Sequence, residues 1–426
     1  QILIDSRPVF SALSGVYGLE QIPASMIERV EVMRGGGSAL FGSSAIAGTI
    51  NIITKEPLRN SGQLSHTITS LGGSSSFDNN TSLNASLVTD DHRAGLYIFG
   101  QNRYRSGYDY DGDGFTELPK LKNQTVGFRS YLKTSTYSKL TFEYHHMQEF
   151  RRGGDMLNRP PHEAHIAEQL QHSIDGGSLK FDYFSPDEKN RLSVFASAAN
   201  TDRDSYYGPG NDPLKAYGKT TDLTAMGGAQ YVHTFDKCFF MPSDLTAGLE
   251  YNRDRLKDNM WGYNRHTDQT VNIYSAFLQN EWKNDRWGIL IGGRLDKHNM
   301  VDNVIFSPRA NLRFNPTQNI NLSLSYSSGF RAPQAFDEDM HIENVGGTVA
   351  MIERAKDLKE EKSQSFSVSA DMYHRFGAFQ TNLLIEGFYT RLTDVFVLGK
   401  PYDRGDGILV KTRSNGPGAK VMGLTL

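Results

Sequence analysis

The chain of 426 residues contains a single cysteine, Cys238. An internal disulfide is therefore impossible, and neither a disulfide framework nor a cysteine-based zinc site can be proposed. The net charge of -3 lacks the basic surplus that marks nucleic-acid binding, so we expect no nucleic-acid partner. No run approaches the ~18 consecutive apolar residues of a membrane helix. No nucleophile elbow, zinc motif or spaced carboxylate pair stands out, which argues against an enzyme.

Alternating apolar and polar residues dominate the chain from about residue 60 onward. In residues 319–327 every even position is apolar and every odd position is polar, the pattern of a strand with two different faces. A transmembrane barrel strand needs only about 10 residues and turns every second side chain toward a polar lumen. The pattern predicts about sixteen strands, near residues 61–70, 78–88, 93–105, 122–136, 138–150, 172–184, 189–202, 220–234, 243–256, 271–283, 286–296, 305–315, 318–328, 362–375, 378–398 and 418–426.

The connections between these strands alternate between tight turns and long polar segments. The long segments are 105–121, 151–171, 203–219, 257–270, 329–361 and 399–417. Short turns on one rim and long loops on the other are typical of an outer-membrane barrel, whose long loops lie outside the cell. We therefore predict an all-β fold, with a large antiparallel transmembrane β-barrel over residues 58–426. A soluble propeller or sandwich is the alternative, although the fixed repeat of propeller blades is not evident.

Residues 1–57 break this rhythm and predict a separate small α/β domain. Within it, residues 22–55 read IPASMIERVEVMRGGGSALFGSSAIAGTINIITK. This run strongly resembles the plug domain of TonB-dependent receptors, over more than thirty consecutive residues without a gap. The resemblance implies a plug inside a barrel of about 22 strands when complete. It also implies a place among the outer-membrane lipids of a Gram-negative bacterium and active import energised by the TonB–ExbB–ExbD complex.

The resembling run supplies our candidates for anchoring and coupling the plug. Glycine tolerates sharp turns and close approaches against a barrel wall, which suits Gly35, Gly42 and Gly48. Charged residues alternate with apolar ones just before Gly35, and these are further candidates for anchoring the plug: Glu28, Arg29, Glu31 and Arg34. We hypothesise that Glu28 and Arg34 pair with polar groups of the wall. The alternative is that these charges are solvated or pair within the plug.

Both ends of the chain interrupt strand-like runs, and no signal peptide precedes the first of them. We therefore expect a piece of a longer protein. The start of the plug, the segment that binds TonB and the last barrel strands are expected beyond it.

An acidic run in a predicted outer loop is a candidate calcium site. Asp109, Asp111 and Asp113 form a D-x-D-x-D-G pattern, with Glu117 close behind, and such carboxylates can converge on a hard cation. Lys120 stands where an EF-hand has its bidentate glutamate. A bound calcium ion would order the loop, as it does in cobalamin receptors, and no other cofactor is expected. The alternative is an Asp/Gly turn that caps a hairpin.

A second loop carries candidates for ligand binding. Phe330–Pro333 resembles the FRAP box of haem receptors and some siderophore receptors, in which a downstream histidine of the same loop can ligate haem iron. Here Arg331 belongs to the box and His341 is that histidine, although Ala355–Leu358 keeps the companion NPNL motif only in part. His162 and His165, three residues apart, could share one face of a helical turn and meet a metal. Exposed polar histidines are the alternative in both loops.

The expected function is TonB-dependent import of a scarce iron complex, either haem or a ferric siderophore. Import of vitamin B12 by the same mechanism is the alternative. An importer of glycans of the SusC type belongs to a different class, whose members are much larger. Haem, a ferric siderophore and vitamin B12 are all small metal chelates, so a ligand of this kind is expected. Whether a surface lipoprotein is a further partner is not decided by the sequence.

Overall fold

The computed structural model describes residues 2–6, 22–34, 42–43, 45–46, 48–209, 216–345 and 348–426. Gly35 lies outside these residues, and so does the side chain of Arg34. Among the described residues, no helix is both long and apolar enough to cross a membrane.

The plug is a small three-stranded sheet with mixed pairing. Its strands are β1 (Ile2–Ile4), β2 (Ile27–Arg34) and β3 (Gly48–Thr54). β3 lies in the middle, parallel to β1 and antiparallel to β2, and a 3-10 turn at Ala24–Met26 leads into β2. The apolar side chains of Ile4 and Ile52 pack with Tyr97 and Phe99, which belong to the following sheet. The plug is thus fixed to the wall by a shared apolar core.

Sixteen strands among the described residues form one large antiparallel sheet, the wall. They are β4 (Ser61–Ser70), β5 (Phe77–Val88), β6 (Ala94–Arg105), β7 (Thr116–Ser135), β8 (Ser138–Gly154), β9 (Ile166–Phe184), β10 (Asn190–Pro209), β11 (Tyr217–Cys238), β12 (Met241–Met260), β13 (Arg265–Lys283), β14 (Trp287–His298), β15 (Ile305–Thr317), β16 (Ile320–Arg331), β19 (Glu361–Phe376), β20 (Phe379–Thr393) and β24 (Ala419–Thr425). Each strand pairs with the next in this order, as in a meander of hairpins.

Side chains alternate in burial along the wall strands. On β9 the apolar side chains of Leu179, Phe181 and Tyr183 are exposed, whereas the preceding side chain, Ser178, is buried on the opposite face. An exposed apolar face is unfavourable in water but suits contact with lipid tails. The buried polar side chains define the opposite, inner face of the sheet.

The plug touches strands that lie far apart in the wall. The Tyr97 hydroxyl on β6 donates a hydrogen bond to the Ser25 carbonyl at 2.5 Å. The Ser363 hydroxyl on β19 donates to the Ile46 carbonyl at 2.7 Å. Since β6 and β19 are separated by many strands in the sheet order, the sheet must curve around the plug. The expected barrel with an internal plug is therefore confirmed.

A second sheet is formed by two segments that the sequence predicts to be polar loops, 329–361 and 399–417, together with the end of the predicted strand 378–398. It contains β17 (Glu343–Val345), β18 (Thr348–Arg354), β21 (Phe396–Leu398), β22 (Tyr402–Asp403) and β23 (Leu409–Asn415), and the helical turn α1 (Asp337–Met340) precedes it. Its Met351 and Ile408 pack against Leu170, Tyr206 and Met260 of the wall. We call this unit the loop sheet.

The sixteen predicted wall strands are all present, but three expectations about their limits are wrong. Residues 378–398 are two strands, because Asp394 adopts a left-handed φ of 54° after Thr393 and the chain then enters the loop sheet. The segments 329–361 and 399–417 contain strands. The other long segments begin and end in extensions of the wall strands, which lack the apolar alternation used to predict the strand limits.

An arginine substitution on β13 should have different effects on stability, depending on which face of the strand carries it. Leu278 is exposed on the outer face, whereas Gln279 points to the lumen beside Gly292. We expect Leu278→Arg to lower the free energy of unfolding by about 2–4 kcal/mol, because it brings a charge into the lipid tails. Gln279→Arg is the control and should change it little. Denaturant unfolding in lipid vesicles measures both, and equal losses would contradict the assigned faces.

Candidate functional site

A wall arginine joins the plug to the barrel. Arg129 lies on the inner face of β7, and its Nη1 is 2.6 Å from Asp5 Oδ2 at the end of β1. The same guanidinium donates a hydrogen bond to the Thr54 hydroxyl at the end of β3. It also lies 3.3 Å from Glu56 Oε1, in the segment that leads from the plug to the first wall strand. One cation therefore holds three points of the plug and its linker.

The wall also supplies a carboxylate to this cluster. Glu143 on β8 lies 2.9 Å from Arg129 Nη1, and Lys139 on the same strand lies 3.1 Å from Glu56 Oε1. Only 14% of the Arg129 side chain is exposed, so these contacts are weakly screened by solvent. We call Asp5, Thr54, Glu56, Arg129, Lys139 and Glu143 the plug latch.

The plug charges named from the sequence occupy another part of the plug. Arg29 and Glu31 are exposed and pair with each other at 2.8 Å, and Glu31 also accepts a hydrogen bond from Asn51. Glu28 is exposed. Sequence reasoning missed Asp5 and Arg129, and the only available signal was that Arg129 falls at an inward position of an alternating strand.

A second contact between plug and wall lies at Gly42. Its φ is 74°, and a side chain there would come within 3.1 Å of the Arg294 guanidinium. Arg294 on β14 is held by Glu250 at 2.6 Å and by Asp296 at 2.9 Å. Glycine is therefore required both by the backbone angle and by the close approach. Gly48, the other described glycine of the set, begins β3.

Buried ion pairs hold α1 against the inner wall. Arg203 Nη1 on β10 lies 2.7 Å from Asp337 Oδ1, and both side chains are almost completely buried. Arg413 of the loop sheet lies 3.1 Å from Asp339. Burial raises the pKa of the Asp339 carboxyl above its ordinary value, and the nearby Arg413 opposes that rise. Both carboxylates depend on their arginines, because a buried unpaired charge is strongly unfavourable.

A cavity of about 450 Å³ opens beside α1, on the lumen side of the strand ends β7–β10. Its lining includes Glu117, Glu168, Tyr207, His341 and Glu343. The His341 ring is half-buried and stands edge-on to Tyr207, with 5.1 Å between ring centroids. A cavity of this size can hold a drug-sized ligand. Of the ligand candidates named from the sequence, His341 is the one that lines it.

Arg331 has partners within the loop. Its guanidinium lies 3.8 Å from the centre of the Phe336 ring and 2.6 Å from Glu338 Oε1. Glu361 is 3.9 Å away. These contacts stabilise the start of the loop that carries α1, and the role of Arg331 in ligand binding stays a prediction.

His162 and His165 make contacts with different residues. The Nδ1 atom of His162 lies 3.0 Å from the Tyr217 hydroxyl. His165 Nδ1 lies 2.6 Å from Asp155 Oδ2. Burial alone raises the pKa of Asp155, but hydrogen bonds from His165 and the Ile166 amide outweigh it and hold that pKa below its ordinary value. Neither histidine belongs to a group of potential metal ligands among the described residues.

The acidic loop brings its four carboxylates together. One oxygen from each of Asp109, Asp111, Asp113 and Glu117 lies within 4.8 Å of the others. Several of these oxygens accept backbone hydrogen bonds inside the loop, such as those from Gly112 and Gly114 to Asp109 at 2.7 and 2.8 Å. Oxygen ligands in this number suit calcium. The internal hydrogen bonds equally suit a plain turn, so calcium stays a prediction.

Comparison with known families covers the whole chain. The family described as "TonB-dependent Receptor Plug Domain" matches residues 1–49. The family described as "TonB dependent receptor-like, beta-barrel" matches residues 49–426.

Individual relatives and solved structures resemble the chain to different extents. The vitamin B12 transporter BtuB of Photobacterium profundum is 25% identical over 384 residues, which is 88% of this chain but only 56% of that protein. BtuB of Vibrio vulnificus is 52% identical over 52 residues, 12% of this chain and 8% of that protein. The siderophore receptor PirA of Acinetobacter baumannii has a TM-score of 0.80 at 18% identity, covering 99% of this chain and 69% of its own. The ferric enterobactin receptor PfeA of Pseudomonas aeruginosa has a TM-score of 0.78 at 19% identity, with the same coverage.

The plug latch makes a prediction about the stability of the plug. Arg129→Met keeps the volume of the side chain but leaves Asp5 and Glu143 without their shared cation. Breaking a buried pair costs about 3 kcal/mol or more, which corresponds to roughly hundredfold faster exchange. We therefore expect faster hydrogen exchange at the amides of β1 and β3 in detergent micelles. The control is Arg103→Met, since Arg103 binds the wall residue Asp78 at 2.6 Å. Equal exchange in both variants would exclude a specific latch.

The acidic loop makes a prediction about calcium. Calorimetric titration should show one calcium ion bound with a dissociation constant on the order of 10⁻⁴ M, as in extracellular modules. Replacing Asp111 and Asp113 by Asn should abolish that heat, because each substitution removes a charged ligand. The control is Asp90→Asn in an exposed turn on the opposite rim. If the original protein, the double variant and the control give the same heat, the loop is an ordinary hairpin turn.

Proposed function

The chain belongs to the TonB-dependent receptor family, and on that premise we propose that its parent protein imports a scarce iron complex, haem or a ferric siderophore, across the outer membrane. The family comprises receptors and transporters, and its barrel places this protein in the outer membrane. The chain spans only 56% of the length of BtuB from Photobacterium profundum. Substrate, partners and energy coupling of the whole protein are therefore part of the proposal.

The cavity beside α1 is the observation that carries this proposal. It lies on the lumen side near the rim with the long connections, where a ligand arriving from outside first meets the interior. His341 offers an imidazole to it, and a neutral imidazole is a common axial ligand of haem iron. Tyr207 beside it offers an aromatic edge against which a flat ligand can pack.

We propose that the plug closes the path below the cavity, so that passage needs a movement of the plug. The plug latch consists of charged groups and the Thr54 hydroxyl, and these can exchange protein partners for water when the plug moves. We propose that the TonB–ExbB–ExbD complex supplies the work for that movement. A surface lipoprotein that delivers the ligand stays a prediction.

Vitamin B12 is the second candidate ligand, favoured by two observations. The two relatives described above by sequence similarity are vitamin B12 transporters, one of them aligned over 384 residues. In addition, Glu117 both lines the cavity and belongs to the acidic loop, so a cation there would act directly on the cavity wall.

Ligand titration separates the two candidates. We expect haemin to bind the protein in detergent with a shift of its Soret band, and His341→Ala to abolish that shift because the imidazole is lost. The control is His266→Ala, since His266 is exposed and pairs with Asn259 at 3.0 Å. A panel of ferric siderophores is titrated in parallel and followed by calorimetry.

Cyanocobalamin is the counter-test for the iron proposal. Binding of cyanocobalamin that requires calcium, together with no response to haemin or any ferric siderophore, would reject the iron complex and establish the second candidate. Binding of a ferric siderophore with an unchanged affinity in His341→Ala would keep iron import but exclude haem ligation by His341.

A further inference from the structure

The outer face of β12 changes its chemistry sharply along the strand. Its outward side chains are, from the short-turn rim upward, Leu245, Ala247, Leu249, Tyr251, Arg253, Arg255 and Lys257. The residues between the upper ones, Asp254, Leu256 and Asp258, are buried on the lumen side. Strand alternation therefore points the three cations away from the lumen. We call Arg253, Arg255 and Lys257 the cation strip.

The position of the strip relative to the membrane follows from its neighbours. Tyr251 packs with Tyr274 of β13 at 4.9 Å between ring centroids, and the apolar Leu249 and Leu278 are exposed below this pair. Tyrosine rings at the end of an apolar zone mark the interface between lipid tails and headgroups. With a rise of about 3.3 Å per residue, Arg253 lies about 7 Å further along the strand, at the level of the headgroups. β12 runs toward the rim of the long connections, which is the extracellular side.

The strip has little charge compensation from the protein. Across β11 its neighbours are Thr221, Leu223 and Ala225, and across β13 they are Asp268, Thr270 and Asn272. Asp268 alone among these six is charged, and it lies 3.8 Å from Lys257 Nζ. Within the described part of the chain, Arg253 and Arg255 have no ion pair or hydrogen bond through their side chains.

We propose that the cation strip binds the phosphate groups of lipid headgroups in the extracellular leaflet of the membrane. Guanidinium groups match phosphate oxygens with two parallel hydrogen bonds, and the strip presents two of them with an ammonium in one row. Its charge is opposite to that of a phosphorylated lipid, and its place directly above an apolar, tyrosine-bordered surface fits an amphipathic lipid molecule. This contact fixes one side of the barrel to the membrane and is independent of the imported ligand.

Lipid titration of the delipidated protein tests the proposal. The probe is diphosphorylated lipid A in mixed micelles, and native mass spectrometry counts the lipids bound. We expect the triple variant Arg253→Gln, Arg255→Gln, Lys257→Gln to bind at least tenfold more weakly than the original protein. Raising the salt concentration should weaken binding to the original protein and have much less effect on the variant, because screening acts on the charges.

Three controls make the outcome decisive. The matched variant Lys237→Gln, Arg286→Gln removes two exposed cations at the opposite rim and should bind as the original does. The variant Arg253→Lys, Arg255→Lys keeps the charge and should retain most of the binding. Heat-dependent migration in electrophoresis shows that each variant is folded.

Three results would overturn the proposal. One is equal binding of lipid A by the triple variant and the original protein. The other is equal binding of lipid A and its dephosphorylated form by the original protein, which would mean that acyl chains alone make the contact. Displacement of lipid A by millimolar inorganic phosphate would likewise show a site for free phosphate in place of a lipid headgroup.

Discussion

In a hydrocarbon layer every backbone N–H and C=O group must find its partner within the protein, and the whole architecture follows from this constraint. Among the described residues, each wall strand between β4 and β24 satisfies it by pairing with a neighbour on both sides. Pairing alone leaves the side chains free to differ between faces. The outer face is apolar where it meets lipid, as at Leu278, whereas the inner face carries polar groups such as Ser275 and Asp296, joined at 2.6 Å.

A polar lumen in turn decides how the interior is filled. The plug and α1 meet the wall chiefly through arginines with carboxylate partners: Arg129 with Asp5, and Arg203 with Asp337. Ion pairs of this kind need exact partners and are costly to break singly, but their members can be solvated once both are exposed. An apolar core of the same area could not be solvated favourably when it is exposed. The small apolar contact around Ile52 and Tyr97 is therefore consistent with a plug that is held firmly yet can be released.

The alternation of residues was sufficient to predict all sixteen wall strands, because lipid on one side and a polar lumen on the other impose a period of two. The alternation failed to predict the strand limits where the two faces no longer differ in this way. At the upper end of β10 the buried side chains are polar as well as apolar, as in Arg203, Ser205 and Tyr206, so the strand continues to Pro209 although the apolar alternation stops earlier. The break at Asp394 depends on a single left-handed residue. The partners of Arg129 could not be predicted either, since Asp5 lies more than a hundred residues away and only the closed fold brings them together.

The acidic loop and the cavity share a residue, and this joins two questions that the sequence poses separately. Glu117 lines the cavity, and its Oε2 accepts a hydrogen bond from the Tyr110 amide at 2.5 Å within the acidic loop. A cation held by the four carboxylates would draw Glu117 toward the loop and remove one negative charge from the cavity wall. A ligand that gains from this change must, by linkage, raise the affinity of the loop for the cation by the same factor. Ligand binding in the cavity and cation binding in the acidic loop are therefore expected to be thermodynamically linked through Glu117.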